Sequence, residues 1–96
     1  GLGKQMARPL EISIENEVVE YAQSKGFFAR KMAYVGRRNC PDHWFFGPQA
    51  RIIIIEFKRH GKTPNAGQQR EHDRFIGRGI PVHVIDNVED GSALFD

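Results

Sequence analysis

The stretch from Ile52 to Arg59, which reads IIIIEFKR, constrains the fold of this chain more than any other. Four consecutive isoleucines predict a buried β-strand, because β-branched side chains favour strands. Side chains alternate between the two faces of a strand, so Glu56 and Lys58 are expected to share one face. The residues expected to face the core on the other side are Ile53, Ile55 and Phe57. Burying charge is costly in a chain of 96 residues, so Glu56 and Lys58 on a buried strand indicate a functional site.

The hydrophobic pattern along the whole chain predicts an α/β sandwich. The predicted elements are a helix over residues 11–25, strands over 27–34, 42–46 and 52–58, a helix over 66–78 and a strand over 81–86. Gly26 and Gly79 stand where the two helices are expected to stop. The last strand follows a helix, which is typical of a crossover to a parallel strand, so the sheet is expected to be mixed. No pattern is clear after Asn87.

The composition is that of an ordinary globular chain, with 40% hydrophobic and 27% charged residues. We expect one domain over residues 6–96, with residues 1–5 a cloning remnant and Met6 the native start. No apolar run approaches the roughly 20 residues of a membrane span, and the N-terminus lacks a signal-peptide pattern. The single cysteine, Cys40, excludes an internal disulfide and fits a reducing cytosol, so a cytoplasmic location is expected.

The spacing between the second and third predicted strands brings two carboxylates together. If residues 47–51 form the turn, Phe46 pairs with Ile52, and Asp42 lands opposite Glu56 with Cβ atoms roughly 4.5–5.5 Å apart. A four-residue loop would shift this register by one residue. Two such carboxylates repel each other unless a cation lies between them, and Mg²⁺ binds carboxylate oxygens while keeping several waters. The sequence therefore predicts a divalent metal site, with Lys58 one pleat away and able to reach a water or a phosphate.

The two helices are expected to add polar groups to this region. Glu15 lies on the inward stripe of the first helix, beside Ile14 and Val18. Gln68 lies on the face of the second helix that also carries His72. An exposed first-turn carboxylate favoured by the helix dipole is the alternative for Glu15, and a solvated helix-start residue is the alternative for Gln68.

Basic and histidine residues leave more alternatives open. The net charge is +2, which permits nucleic-acid binding without requiring it. The basic loops are either solvated or grip a phosphate backbone. Cys40 and His43 have the C-x-x-H spacing of a metal site, but a structural zinc site needs four ligands and no second pair exists. His72 is interpreted as a hydrogen-bonded packing residue or a phosphate contact, and Trp44 as a core residue.

The ordered motifs resemble a known nuclease family. Pro41-Asp42, then thirteen residues, then Glu56-Phe57-Lys58 reads PD-(x)13-ExK and resembles the PD-(D/E)xK nuclease superfamily. The whole set is similar to its VRR-Nuc branch, which occurs as stand-alone domains in phages and as the nuclease domain of the Fanconi-associated nuclease. The matching features are Ile14-Glu15, Gly26, Lys31, Gly36-Arg37-Arg38, Pro41-Asp42, Glu56-Phe57-Lys58-Arg59, Gly61-Lys62-x-Pro64, Gln68, Arg70-Glu71-His72 and Gly79.

The resemblance implies a restriction-endonuclease-like core of order αβββαβ, with a central mixed sheet flanked by helices. It also implies an endodeoxyribonuclease that hydrolyses phosphodiester bonds with Mg²⁺ or Mn²⁺. The implied catalytic residues are Glu15, Asp42, Glu56, Lys58 and Gln68. The implied metal ligands are Asp42, Glu56, the backbone carbonyl of Phe57, and Glu15 directly or through water. Lys58 would orient or deprotonate the attacking water, and Gln68 would support it.

The resemblance further implies DNA as the partner, either branched or duplex. The implied DNA-binding residues are Lys31, Arg37, Arg38, Arg59, Lys62 and Arg70. Stand-alone phage members look like homodimers acting on four-way (Holliday) junctions, which implies a homodimer in phage or bacterial host cytosol, without membrane or small-molecule cofactor. The chain departs from the family at Asn39-Cys40 and His43-Trp44, which flank the Pro-Asp motif. Two alternatives stay open: a non-catalytic DNA-binding module on the same fold, and an RNA-directed nuclease.

Overall fold

The computed structural model describes residues 10–96, so the expected remnant at residues 1–5 and the expected start at Met6 lie outside the described residues. The helices are α1 (Glu11–Ser24), α2 (Ala66–Ile76) and α3 (Val88–Ala93). The strands are β1 (Phe28–Lys31), β2 (His43–Phe46), β3 (Ile52–Phe57) and β4 (His83–Ile85), with a short 3-10 turn at Pro48–Ala50. The predicted order of helix, three strands, helix and strand is confirmed, and α3 follows it. Within residues 10–96 no helix is both long enough and apolar enough to cross a membrane.

The strands of the described region form a mixed sheet in the order β1-β2-β3-β4. β2 runs antiparallel to β1 and to β3, whereas β4 runs parallel to β3. The α2 helix supplies the crossover into β4, and the predicted α/β class with a mixed sheet is confirmed. Phe46 lies opposite Ile52, and His43 lies opposite Ile55. This is the register predicted from a five-residue turn.

The main core lies between α1, α3 and one face of the sheet. Its members are Ile14, Val18, Ala22, Phe27, Phe45, Ile53, Ile55, Phe57, Ile85 and Phe95. Residues 14, 18 and 22 follow a spacing of four, which places them on one stripe of α1. The predicted core side of β3 is confirmed, since Ile55 is 0% and Phe57 is 1% exposed. The opposite face of the sheet is partly covered by α2, because Phe75 of α2 packs edge-on against Trp44 of β2 at 6.1 Å between ring centroids.

The strands are shorter than predicted, and the differences have local causes. β2 begins at His43 because the side chain of Asp42 accepts a hydrogen bond from the backbone amide of Phe57 (3.3 Å). β4 begins at His83, two residues after Pro81, which has no N–H to offer a neighbouring strand. β1 ends at Lys31, although the amide of Met32 still bonds to the carbonyl of Asp42 (2.8 Å).

The α3 helix was not predicted from the sequence. Its N-cap is Asn87, whose side chain accepts a hydrogen bond from the amide of Asp90 (2.8 Å). Gly91 is buried against α1, where an added Cβ would lie 2.7 Å from a methyl group of Val18. The following Phe95 is 2% exposed and packs into the core. The tail therefore closes the α1 side of the sheet.

Candidate active site

Two carboxylates meet where β2 begins and β3 ends. Asp42 directly precedes β2, and Glu56 is the last residue but one of β3, so the antiparallel register brings them to the same edge of the sheet. Each carboxyl group lies close enough to shift the pKa of the other. Glu56 is only 5% exposed, whereas Asp42 is half-buried. The proximity expected from the turn length is present.

The environment drives the two carboxyl groups toward different protonation states. Burial is the main cause that raises the pKa of Glu56 to about 8, and the hydrogen bond and negative charge of Asp42 add to it. Burial alone would also raise the pKa of Asp42, but hydrogen bonds with His43 and Glu56 outweigh it and lower that pKa. Without a bound cation, the pair therefore holds one proton on Glu56 over a wide pH range. A buried pair of this kind is suited to binding a cation.

Lys58 extends from the end of β3 on the same face as Glu56. Its amide donates to the carbonyl of Ile85 (2.9 Å), which fixes its backbone beside β4. Its Nζ donates to Oε1 of Gln68 (2.7 Å). Gln68 is itself fixed, because it forms a capping box with Asn65 at the start of α2. The structure thus brings Gln68 to Lys58, as the sequence led us to expect.

Glu15 approaches Asp42 from the α1 side. It is 5% exposed, as its inward phase on the helix predicted. Its Oε1 lies 3.8 Å from Nδ1 of His43, and that nitrogen lies 3.3 Å from Oδ2 of Asp42. Burial raises the pKa of Glu15, and the positive charge of Lys31 partly opposes the shift. Asp42 therefore lies between Glu15 and His43 on one side and Glu56 on the other.

His72 supports Glu56 from α2. It is 1% exposed, and its Nε2 lies 3.3 Å from Oε1 of Glu56. Burial is the main cause that lowers the pKa of His72, which favours its neutral form. The interpretation of His72 as a hydrogen-bonded packing residue agrees with this contact.

The predicted DNA-binding residues occupy exposed positions on several elements. Lys31 ends β1, and together with Glu15 and His43 it lines a cleft of about 580 Å³. Arg37 and Arg38 lie in the loop between β1 and β2. Residues 59 and 62 lie in the loop after β3, and residue 70 lies on α2.

Among residues 10–96, Arg37 is the one of these basic residues that pairs with a carboxylate. Its Nη2 lies 4.0 Å from Oε1 of Glu71, and its guanidinium stacks over the ring of Tyr34, 5.9 Å from the centroid. Tyr34 donates a hydrogen bond to the other oxygen of Glu71 (2.6 Å), and burial raises the pKa of Tyr34. The basic loop is therefore fastened to α2 through Glu71.

His43 is the site residue to which sequence reasoning gave no role. In the sequence, His43 is notable only as the partner of Cys40 in a C-x-x-H pattern, and that pattern lacks the second ligand pair that a structural zinc site requires. The usable signal was its position directly after Asp42, which turns its side chain to the face that α1 covers. Glu15 was already expected on that face.

Comparisons with known proteins give one consistent result. A solved structure of a "VRR_NUC domain" superposes on this chain with a TM-score of 0.83 and 30% sequence identity, covering 88% of this chain and 91% of that one. The protein named "Putative nuclease p44" from Acyrthosiphon pisum secondary endosymbiont phage 1 is 37% identical over 84 residues. That match covers 88% of this chain and 90% of the phage protein. No family model matches the chain.

Proposed function

Because the chain belongs to the VRR-Nuc family of nuclease domains, we propose that it is a metal-dependent endonuclease hydrolysing phosphodiester bonds in DNA. The observation that carries the proposal is the buried pair of Asp42 and Glu56, with Lys58 beside it held by Gln68. We propose that residues 6–96 form this single nuclease domain. A purely structural ion pair would not need two facing carboxylates at one edge of the sheet.

The donor groups at the site fit a divalent cation. Asp42 and Glu56 offer hard carboxylate oxygens, and burial together with the charge of Asp42 raises the pKa of Glu56, so a cation beside the pair would offset charge that is costly to bury. Glu15 and the backbone carbonyl of Phe57 complete the proposed ligand set. Mg²⁺ or Mn²⁺, when bound, offsets the negative charge that develops on the phosphate during hydrolysis.

Lys58 and Gln68 have roles that follow from their contact. The hydrogen bond between them (2.7 Å) fixes an ammonium on the same strand face as Glu56, one pleat away. We propose that Lys58 orients or deprotonates the attacking water and offsets negative charge on the phosphate in the transition state. Gln68 is a positioning residue that keeps the Lys58 ammonium at this distance from the carboxylates.

The exposed basic residues support binding to the phosphate backbone. The proposed contacts are Lys31, Arg37, Arg38, Arg59, Lys62 and Arg70. Contacts of this kind give affinity without sequence preference, so the selectivity of the enzyme is expected to come from DNA shape. We propose branched DNA, including four-way junctions, as the preferred substrate.

A homodimer suits a four-way junction, because each chain carries one site and resolving a junction requires two cuts. Exposed apolar side chains support this proposal. Ile52 is 58% exposed and Ile80 is 43% exposed, and both border a groove against Trp44 and Phe75. Exposed apolar side chains grouped around one groove can bind another protein, and a second copy of this chain is the proposed occupant.

A cleavage assay with matched variants tests the enzymatic proposal. We expect wild-type protein to cut four-way junctions faster than linear duplex, flap or splayed DNA, with Mg²⁺ or Mn²⁺ and not with EDTA. Lys58→Ala is expected to bind the junction while losing at least about 100-fold in rate. Lys62→Ala, which removes an exposed lysine from the neighbouring loop, serves as the control and should weaken binding only. Equal cleavage by Lys58→Ala and wild type would show that Lys58 is not catalytic, and cleavage of RNA duplexes alone would reassign the substrate.

Light scattering coupled to gel filtration tests the dimer. We expect twice the chain mass of 11.0 kDa for wild type and a folded monomer for Ile80→Asp. Val35→Asp is the matched control, because Val35 is 101% exposed in the loop between β1 and β2. A wild-type monomer at micromolar concentration would refute the dimer proposal and leave the nuclease proposal intact.

A further inference from the structure

His43 lies between two carboxylates and is almost completely withdrawn from solvent. It is 8% exposed, and Glu15, one of its two neighbours, is 5% exposed. One ligand atom from each of Glu15, Asp42 and His43 lies within 4.8 Å of the other two. The group therefore contains two carboxylate oxygens and one imidazole nitrogen, which is a mixed donor set and not an acidic cluster alone.

The spacing of these atoms is close to that of ligands on one ion. Donors at about 2.1 Å from an octahedral ion lie roughly 3.0 Å apart when adjacent and roughly 4.2 Å apart when opposite. Nδ1 of His43 lies 3.3 Å from Oδ2 of Asp42 and 3.8 Å from Oε1 of Glu15. The first distance exceeds the adjacent spacing by about 0.3 Å, and the second lies between the adjacent and the opposite spacing.

The imidazole of His43 is held in place by strand pairing and by aromatic packing. Its backbone pairs with Lys31 on one side and Ile55 on the other. Its ring packs edge-on against Phe57 at 5.1 Å between centroids and stacks with Phe45 at 6.2 Å. Nδ1 is therefore aimed at the carboxylates before any ligand arrives, and the cleft beside Glu15 gives an ion access from solvent.

Asp42 belongs both to the group of Glu15, Asp42 and His43 and to the pair that it forms with Glu56. Its Oδ1 accepts the amide of Phe57 (3.3 Å), whereas Oδ2 faces His43. An ion at the His43 side would thus share the Asp42 carboxylate with the site proposed for catalysis.

Resting on the proposed metal-dependent nuclease function, we infer that His43 is a metal ligand through Nδ1 and biases the site toward first-row transition ions over Mg²⁺. Imidazole binds Mn²⁺, Fe²⁺ and Co²⁺ increasingly well in that order, whereas Mg²⁺ prefers oxygen donors and gives up its waters reluctantly. Nδ1 ligation requires the neutral tautomer that carries its proton on Nε2.

Pulsed electron paramagnetic resonance on the full chain with Mn²⁺ tests the ligand directly. We expect wild-type protein to show the ¹⁴N modulation of a directly bound imidazole, and His43→Gln to lose it while still binding Mn²⁺. His83→Gln is the matched control, because His83 lies on β4 and is separated from His43 on β2 by the intervening strand β3. Bound Mn²⁺ without ¹⁴N modulation in wild type, or with modulation that persists in His43→Gln, would overturn the assignment. If His43→Gln does not fold, His72→Gln decides the assignment, because His72 is the other histidine in contact with a proposed ligand. Modulation that persists in His72→Gln supports His43 as the ligand, and modulation that is lost there would overturn the assignment.

Calorimetric titration tests the ion preference. The ratio of Mn²⁺ to Mg²⁺ affinity is expected to fall by about tenfold or more in His43→Gln and to stay unchanged in His83→Gln. An unchanged ratio in His43→Gln overturns the inference alone, since metal binding and cleavage would persist. Wild-type protein that binds neither ion would overturn the proposed function together with this inference.

Discussion

Replacing Glu56 with glutamine is expected to stabilise the metal-free protein while abolishing activity. Glutamine keeps the shape of Glu56 and its ability to hydrogen-bond with His72 and Asp42, but it has no charge to bury. In the metal-free chain the raised pKa of Glu56 means that its ionised form is disfavoured in the folded state. The same carboxylate is a proposed metal ligand, so its removal should separate stability from catalysis.

The expected size follows from the pKa of Glu56. One pKa unit corresponds to about 1.4 kcal/mol. A rise of the Glu56 pKa from 4.5 to about 8 therefore limits the stability that Glu56→Gln can gain to about 5 kcal/mol at pH 8 and above. Water reaching the half-exposed edge beside Asp42 lowers this cost, and we expect about 2 kcal/mol for Glu56→Gln. For a domain of this size that corresponds to a rise in Tm of roughly 8–16 °C.

The pH dependence identifies the cause. Below pH 4.5 both folded and unfolded wild-type chains carry the Glu56 proton, so the variant should gain little. Between pH 4.5 and about 8 the unfolded chain loses that proton and the folded chain keeps it, so wild-type stability falls relative to the variant as pH rises. Above about pH 8 the difference should level off.

Thermal unfolding in EDTA across pH 4 to 9, followed by circular dichroism, measures this difference. Glu17→Gln, on the exposed side of α1, is the control and should stay within about 0.5 kcal/mol of wild type at every pH. Saturating Mn²⁺ should raise the Tm of wild type by more than that of Glu56→Gln, which keeps the donors Glu15, Asp42 and His43 but lacks one proposed ligand. A difference between Glu56→Gln and wild type that is independent of pH, or a destabilised variant at pH 8, would refute the reasoning.

Three further changes have definite expected outcomes. Gln68→Ala should lower the cleavage rate by roughly tenfold or more, because Lys58 loses its hydrogen-bond partner, and single-turnover kinetics measures this loss. The same variant should reduce the stability of the protein by about 1 kcal/mol in urea unfolding, because the capping box at the start of α2 is lost. An unchanged cleavage rate would show that Gln68 does not act in the site. Gly47→Ala should destabilise the protein by about 2–4 kcal/mol in urea unfolding, because the added Cβ would lie 2.3 Å from the ring of Phe27. An unchanged free energy of unfolding would contradict this close approach. Phe95→Ala should cost about 3–5 kcal/mol in the same assay, and a loss below 1 kcal/mol would show that the tail is not part of the core.

The elements that could be predicted are those with a strong local pattern. The isoleucine run fixed β3, and the turn length fixed its register against β2, so the meeting of Asp42 and Glu56 followed from counting residues. The inward phase of Glu15 followed from helical spacing in the same way. These inferences use periodicity and chain length alone, which do not depend on knowing the rest of the fold.

The elements that could not be predicted depend on long-range packing. The α3 helix has only six residues, and its burial depends on Gly91 fitting against Val18 across the core. The position of His43 depends on a helix that begins about thirty residues earlier in the chain. A local sequence pattern does not indicate which distant residues pack against it, so neither the α3 helix nor the position of His43 could be predicted from the sequence.

The turn at residues 47–51 has a consequence for how this gene can vary. Its conformation is unusual, with Gln49 and Ala50 both at a φ of 60°, yet it contributes no side chain to the proposed chemistry. Losing or gaining a single codon there would move β2 by one residue against β3 and turn Asp42 away from Glu56. A frame-preserving deletion would therefore be as damaging as a missense change at a proposed metal ligand. In the family, the amino acids of this turn should accordingly vary far more than its length.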